Sequence, residues 1–211
     1  NTHDRVWLGA DCWANPMENW RIVDGAAECQ SLDGDRNVHL LTHQLTNARG
    51  NLEMSVTVTK VESKKQEGGA GFRIGVKSEL NEYRSNVFSP SGIKAGIVDG
   101  KMVLSQKSQP VPGVLAPNKV TLRFTGKPDG EKYNLSLTAS AADGSELGQI
   151  SSSVPAEAVL GNICIVNNLE RQARKRNQPD KASRVPKGSR YRFSDWTVSG
   201  NAFKVTPENK F

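Results

Sequence analysis

The chain has 211 residues, of which 36% are hydrophobic and 24% charged, and its formal net charge at pH 7 is +6. A chain of this length buries roughly 70% of its unfolded surface, so it does not need a disulfide framework or a structural metal to form a core. Because no run of about 18 apolar residues occurs, the sequence predicts no membrane span.

The segment at 12–29, CWANPMENWRIVDGAAEC, places two tryptophans between two cysteines. Trp20 lies in a predicted strand and is expected to be a core aromatic. Trp13 precedes a turn that contains proline, so burial and stacking against a ligand are both open for it. The chain's three cysteines lack the close pairs of a zinc site, and a Cys12–Cys29 disulfide and free thiols are both compatible with the sequence.

Apolar and polar residues alternate with a period of two along most of the chain, which predicts half-buried β-strands. The alternation runs through 51–62, 70–77, 119–126 and 133–140, and shorter, more apolar strands are predicted at 37–45 and 162–168. Only residues 154–161 have a pattern compatible with a turn or two of helix.

Asp-Gly pairs mark four predicted turns between the strands, at 24–25, 99–100, 129–130 and 143–144. Both residue types tolerate the positive φ that tight hairpin turns require. Many short strands without intervening helices predict a sandwich of two antiparallel sheets. Since no interdomain linker is evident, we expect residues 1–211 to form a single domain.

The last clear predicted strand, at 191–200, contains Trp196. In two-layer sandwiches the first and last strands commonly lie side by side, so Trp20 and Trp196 are both expected to pack into the core. In this strand order the chain resembles the concanavalin A-like jelly rolls, the fold of laminin G modules, legume lectins and many polysaccharide hydrolases. The resemblance implies an all-β, concanavalin A-like jelly-roll sandwich of two antiparallel sheets.

A closer resemblance rests on several motifs in the same order: WANPMENWRIVDGAAEC, GDRNVHLLTHQL, GAGFRIGV followed by NEYRS, and YRFSDWTVSGNAF. Together they are similar to the non-catalytic N-terminal domain found ahead of the metallophosphoesterase domain in some alkaline phosphatase D-family proteins. This resemblance implies an accessory domain of a larger exported phosphatase-like hydrolase, in an extracytoplasmic location. It also implies that the phosphatase ligands belong to a downstream catalytic domain.

The residues themselves predict no catalytic site. Retaining glycosidases need two carboxylates about 5 Å apart facing one groove, and the ExDxxE pattern that supplies them in this fold does not occur. The histidines, His3, His39 and His43, are too few for a two-metal phosphoesterase. A glycan-active hydrolase or lyase with an unrecognised acid pair and a purely structural module stay as alternatives to an accessory or carbohydrate-binding module.

A carbohydrate site needs fixed hydrogen-bond donors and an aromatic floor. The strand ends around residues 72–88 supply Arg73, Tyr83, Arg84 and Asn86 as candidates, with Tyr83 as the floor, and Trp13 is a further stacking candidate. The competing interpretation pairs the two arginines with nearby glutamates.

A structural calcium ion is a second candidate ligand. Concanavalin A-like sandwiches often hold one between an acid of the final strand and an early loop, and Asp195 occupies the matching place here. The early loop offers Asp33 and Asp35, which carry the hard oxygen ligands that calcium takes. A solvated strand face is the alternative role of Asp195.

The positive charge is concentrated in residues 171–192, which hold nine Lys or Arg against Asp180, a local charge of +8. Subtracting this from +6 leaves −2 for the rest of the chain. The basic loop at 171–190 is open to three interpretations: a solvated insertion, a contact with a following domain, or a grip for an acidic polysaccharide. Nucleic acid is the least supported partner, because no aromatic residue is interleaved with the charges between 171 and 190.

Overall fold

The computed structural model describes residues 4–5, 7–64, 68–77, 91–111, 118–169 and 188–206. These contain the strands β1 (Cys12–Asn15), β2 (Trp20–Val23), β3 (Ala26–Cys29), β4 (Arg36–Leu45), β5 (Leu52–Lys64), β6 (Gly69–Val76), β7 (Ile93–Val98), β8 (Lys101–Leu104), β9 (Lys107–Pro110), β10 (Lys119–Asp129), β11 (Lys132–Ala141), β12 (Glu146–Pro155), β13 (Gly161–Asn167), β14 (Gly188–Ser199) and β15 (Phe203–Val205). Short 3-10 turns lie at Met17–Asn19 and Ala156–Val159, the second within the segment predicted to form a helical turn. In the part of the chain covered by these ranges, no helix has the length and apolarity needed to cross a bilayer.

The strands form two sheets whose neighbouring strands all run antiparallel, as the sequence predicted. The seven-stranded sheet has the order β12-β11-β10-β5-β14-β3-β2, and the eight-stranded sheet has the order β1-β4-β13-β6-β7-β8-β9, with β15 paired to β4. Their inner faces enclose one large apolar cluster, to which both sheets contribute. Phe72 of β6 and Phe124 of β10 meet across it with ring centroids 6.4 Å apart. The two sheets therefore form a packed sandwich.

Tight turns connect consecutive strands where Asp-Gly pairs predicted them. Asp24 and Gly25 have φ of 50° and 77° between β2 and β3, and Asp99 and Gly100 have φ of 47° and 78° between β7 and β8. Positive φ at both central residues is what a type I′ turn requires. These two hairpins are thus fixed by local sequence.

The beginning of the chain lies beside its end, also as predicted. The β2–β3 hairpin pairs with β14 through Glu28 and Ala27. Trp20 is buried in the core, with its ring centroid 5.8 Å from that of Phe193. Trp196 is partly buried against the same core.

The outer face of the seven-stranded sheet is polar and partly solvated. Along β10 the apolar residues point into the core while Thr121, Arg123 and Thr125 point outward. The cross-strand partners of Arg123 and Thr125 on β11 are Thr138 and Ser136. Strand β10 thus shows the half-buried alternation that its sequence predicts.

The eight-stranded sheet departs from that pattern. All residues of β6 are buried, including those that point away from the core. The prediction that this segment is only half-buried is wrong, because its outer side chains are covered and the charged one, Arg73, is paired.

Candidate ligand-binding face of the eight-stranded sheet

One row of side chains crosses the outer face of the eight-stranded sheet. Trp13 of β1 is in register with His39 of β4, His39 with Cys164 of β13, Cys164 with Arg73 of β6, and Arg73 with Lys94 of β7. We call these five residues the outer row. With strands about 4.8 Å apart, the row is about 19 Å long.

The outer row points away from the core because side chains alternate along a strand. The sequence neighbours of its members all belong to the apolar core: Ala14, Val38, Ile165, Phe72 and Ala95. The inner residues of these strands thus anchor the sheet. On the outer face the three middle members of the row are buried, and only its two ends are half-buried.

A buried ion pair lies in the row. The Arg73 guanidinium donates to Asp35 Oδ1 from Nε at 3.1 Å and from Nη2 at 2.5 Å, and its Nη2 also donates to the Leu169 carbonyl at 3.1 Å. Arg73 is 5% exposed and Asp35 is 4% exposed. Burial raises the pKa of Asp35, and the positive charges of Arg73, Lys94 and Arg36 oppose that shift. A buried pair of this kind depends on both partners, because removal of one leaves the other charge uncompensated.

Two asparagines, Asn37 and Asn168, hold Asp35 in place. The Asp35 backbone N–H donates to the main-chain carbonyl of Asn168 at 3.0 Å, and the Asn37 side chain donates to the main-chain carbonyl of Asp35 at 2.9 Å. The Asn168 side chain also donates to the carbonyls of Leu32 and Asp33 at 2.9 and 3.0 Å. The loop that precedes β4 is therefore fixed to the end of β13, and Asp35 reaches Arg73 from a rigid support.

The middle of the outer row is uncharged. Burial lowers the pKa of His39 to about 4 and raises the pKa of Cys164 to about 12. At neutral pH the imidazole is neutral and the thiol is protonated, so neither group is activated as a nucleophile. Cys12, Cys29 and Cys164 are all free thiols in the structure.

An apolar cluster adjoins the outer row and covers part of the sheet. It consists of Val76, Val98, Val103, Cys164, Val166 and Leu169. Leu169 packs over Gly96, where an added Cβ would approach the Leu169 side chain and the Ala70 carbonyl. The ion pair and the middle of the outer row are buried, and the accessible parts of the row are its half-buried ends, Trp13 and Lys94.

Two of the predicted carbohydrate-site residues lie in the same cross-strand row, but they are not in contact. Trp13 and Arg73 belong to the same row, about 14 Å apart across three strand spacings. Tyr83, Arg84 and Asn86 lie outside the described residues. The sequence did not indicate Lys94 as a site residue, and it did not assign His39 to a ligand. The reason is that the linear sequence does not reveal the strand order, in which β4 and β7 flank β13 and β6.

The predicted calcium ligands have separate surroundings. Asp33 pairs with Arg36 at 2.9 Å, whereas Asp35 pairs with Arg73. Gly188 packs against the Leu32 carbonyl, and Asp195 lies seven residues further along β14, about 20 Å away. Asp195 is exposed at an irregularity in the strand pairing and accepts a hydrogen bond from Ser194 Oγ at 2.9 Å.

Across the described ranges, no group of three or more His, Cys, Asp or Glu side chains is placed to hold a metal. The calcium site stays a prediction.

A second charged cluster joins the N-terminal hairpin to β14 on the seven-stranded sheet. Glu28 accepts hydrogen bonds from Arg21 at 3.2 Å, from Arg190 at 2.9 Å and from Arg192 at 2.7 Å. Burial raises the pKa of Glu28, but its hydrogen bonds with Gln30 and the arginines outweigh burial and hold that pKa at about 2. The three arginines of this cluster are balanced by Glu28 and by contacts with Asp24 and Glu62, so we assign it a structural role.

Solved structures with a similar backbone are plant lectins and lectin-like proteins. Arcelin-5, a lectin-like defense protein from Phaseolus vulgaris, matches with a TM-score of 0.60 at 9% identity, covering 97% of this chain and 98% of that one. The basic winged bean lectin, solved with Tn-antigen, matches with a TM-score of 0.58 at 11% identity over 92% and 94% of the two chains. Lectin II from Ulex europaeus gives 0.55 at 10% identity over 94% and 97%.

At the level of sequence, no family model and no curated protein matches the chain. The relation to alkaline phosphatase D-family proteins therefore stays a prediction from motifs. At about 10% identity the structural similarity establishes the fold and leaves function to be argued from the site. The chain has the concanavalin A-like jelly-roll fold that the sequence predicted.

Proposed function

We propose that this domain is a carbohydrate-binding module whose ligand lies along the outer row of the eight-stranded sheet. The observation that carries the proposal is the placement of an aromatic ring, Trp13, and a polar group, Lys94, at the two accessible ends of one row on the outer face of a lectin-type sandwich. Because these two ends are about 19 Å apart, an oligosaccharide spans them better than a single sugar ring does.

The chemistry of the row fits sugar recognition. An indole presents an apolar face to the C–H groups of a pyranose ring, and its two side-chain torsions cost little to order. Arg73 is buried and held by Asp35 and Leu169 through Nε and Nη2, so its part is to support the middle of the row rather than to contact the ligand. Lys94, which is half-buried, supplies the accessible hydrogen-bond donor.

The proposal is tested with the purified chain and a panel of neutral, uronic and sulfated polysaccharides at low and high salt. Binding to a neutral glycan should survive high salt, because stacking and neutral hydrogen bonds are not screened. Trp13→Ala should weaken that binding by about tenfold or more, equivalent to ~1.4 kcal/mol. The control is Trp7→Ala, since Trp7 is 59% exposed and lies outside the row.

Equal affinity in both tryptophan variants and the unchanged chain would remove the outer row as the site. No binding of the chain to any member of the panel would favour a structural module instead.

The proposal that this domain belongs to a larger protein rests on the sequence motifs alone. They support an accessory domain of an exported phosphatase-like hydrolase, located outside the cytoplasm and followed by a catalytic domain. A longer gene product that contains this domain should hydrolyse p-nitrophenyl phosphate, whereas the 211-residue chain should not.

A bound structural calcium ion at Asp195 should raise the melting temperature of the chain. A melting temperature that neither calcium nor a chelator changes would exclude this ion.

A further inference from the structure

A shallow groove crosses the outer face of the seven-stranded sheet, on the side of the molecule opposite to the outer row. It has a volume of about 550 Å³ and lies over β10, β11 and β12, with Lys107 of β9 at its margin. Apart from Lys107, whose strand β9 is the edge of the eight-stranded sheet, the groove lies on the other sheet and does not include the outer row.

Hydroxyl and amide groups form the floor of the groove. Thr125, Ser136 and Ser151 are aligned across the three strands, and Gln149 donates to Ser136 Oγ at 2.9 Å. No aromatic side chain is among the described residues that line it. A neutral sugar ring would therefore find hydrogen-bonding groups here but nothing to stack on.

Two lysines flank this floor. Lys127 lies on β10 in register with Asn134, and Lys107 Nζ donates to the Ser151 carbonyl on β12 at 3.0 Å. Strands β10 and β12 are two spacings apart, about 10 Å, so the Lys107 ammonium group on β12 and the strand that carries Lys127 lie on opposite sides of the groove. An ammonium group carries further N–H donors beyond the one that Lys107 uses.

Carboxylates near the groove are engaged with neighbouring side chains. Asp129 accepts a hydrogen bond from Asn134 at 3.0 Å, and Glu53 pairs with Arg123 at 2.8 Å. No carboxylate is among the described lining residues, which include both lysines. The charge of the groove is thus complementary to an anion.

We propose that this groove binds an acidic polysaccharide, with carboxylate or sulfate groups of one chain placed against Lys107 and Lys127 and its hydroxyl groups against the Ser and Thr floor. Exposed lysines bind a lone anion weakly, because water and salt screen the contact. A polymer engages both lysines at once and gains from the second contact at high effective concentration.

The test uses the whole chain, with polygalacturonate as the acidic probe and dextran as the neutral one. Polygalacturonate should bind at low salt and weaken steeply as salt rises. The double variant Lys107→Gln, Lys127→Gln should lose about tenfold in affinity, equivalent to ~1.4 kcal/mol. Its melting temperature should stay close to that of the unchanged chain, because both lysines are exposed.

The matched control is Lys101→Gln, Lys119→Gln, which removes the same charge. Lys119 is exposed on the same strand as Lys127, eight residues away, and Lys101 is exposed on β8, next to the strand of Lys107. Full affinity in the control and reduced affinity in the groove variant would support the proposal. Equal loss in both variants would show a non-specific charge effect and overturn it.

Other outcomes separate the groove from the outer row and from self-association. Trp13→Ala should leave polygalacturonate binding intact even if it abolishes binding of a neutral glycan. Unchanged affinity in the groove variant would overturn the proposal and move the acidic ligand to the basic sequence at 171–192. A dimer seen by sedimentation that dissociates in the groove variant would assign the groove to a second copy of the chain and overturn the proposal.

Discussion

The two sheets of the sandwich share an apolar core but differ in what they do with their outer faces. On the seven-stranded sheet, Arg123 points into solvent and pairs with the half-buried Glu53. On the eight-stranded sheet, Arg73 also points outward from its strand, yet it is buried and paired with buried Asp35. The two arginines thus lie in strands with similar sequence patterns but in opposite environments. The burial of the outer face around each arginine decides how much its ion pair matters for stability.

The largest expected effect comes from breaking the two arginine pairs in parallel. Arg73→Leu leaves the buried Asp35 carboxylate without its partner, so it should lower the free energy of unfolding by roughly 3–5 kcal/mol. Arg123→Leu removes an exposed pair and should cost about 1 kcal/mol or less. Urea denaturation of both variants measures the difference.

The importance of burial for the Arg73–Asp35 ion pair can be checked in two further ways. Similar losses in the two variants would show that the outer face of β6 is as accessible to solvent as that of β10. The double variant Arg73→Met, Asp35→Asn should recover much of the loss, since no charge is then left buried alone.

A smaller effect should appear in the pH dependence of stability. The pKa of His39 is about 4 in the folded chain against an ordinary value of 6.5, because burial disfavours the charged imidazolium. The neutral form is therefore the stable one, and its contribution is complete above pH 6.5 and lost as the pH falls towards 4. The loss should amount to about 3 kcal/mol for a shift of this size.

Thermal or urea unfolding between pH 4 and pH 7 measures this effect, with the slope as the readout. His39→Gln should flatten the slope relative to the unchanged chain. His43→Gln is the control, because His43 is only partly buried and the charge of Asp11 opposes the lowering of its pKa by burial. A slope unchanged by His39→Gln would mean that the imidazole is solvated in the folded chain.

The sequence predicted the sandwich because its signals are local. The Asp-Gly turns at 24–25 and 99–100 and the alternation along β10 each follow from a few adjacent residues. The pairing of β14 with β3 was predicted only because chain ends commonly meet in this kind of fold.

The candidate site was only partly predictable because it depends on strand order. Trp13 and Arg73 were singled out for their chemistry, but their place in one row requires β4 and β13 to lie between their strands. The pairing of Arg73 with Asp35 joins residues 38 positions apart, and no periodicity encodes such a contact. The local alternation of residue types indicated that each of these strands has an outer face. The pairing register between strands that are distant in sequence decides which residues lie next to one another on that face.

The measurement that tests the proposed function most directly is an amide chemical-shift titration of the isotope-labelled chain with a neutral glycan that it binds. Binding along the outer row should produce the largest shifts in β1, β4, β6 and β7, around Trp13, Arg73 and Lys94. Small shifts are expected on the outer face of β10 to β12, which lies on the other side of the sandwich. Shifts concentrated in β10 to β12 with none in the outer row would contradict it.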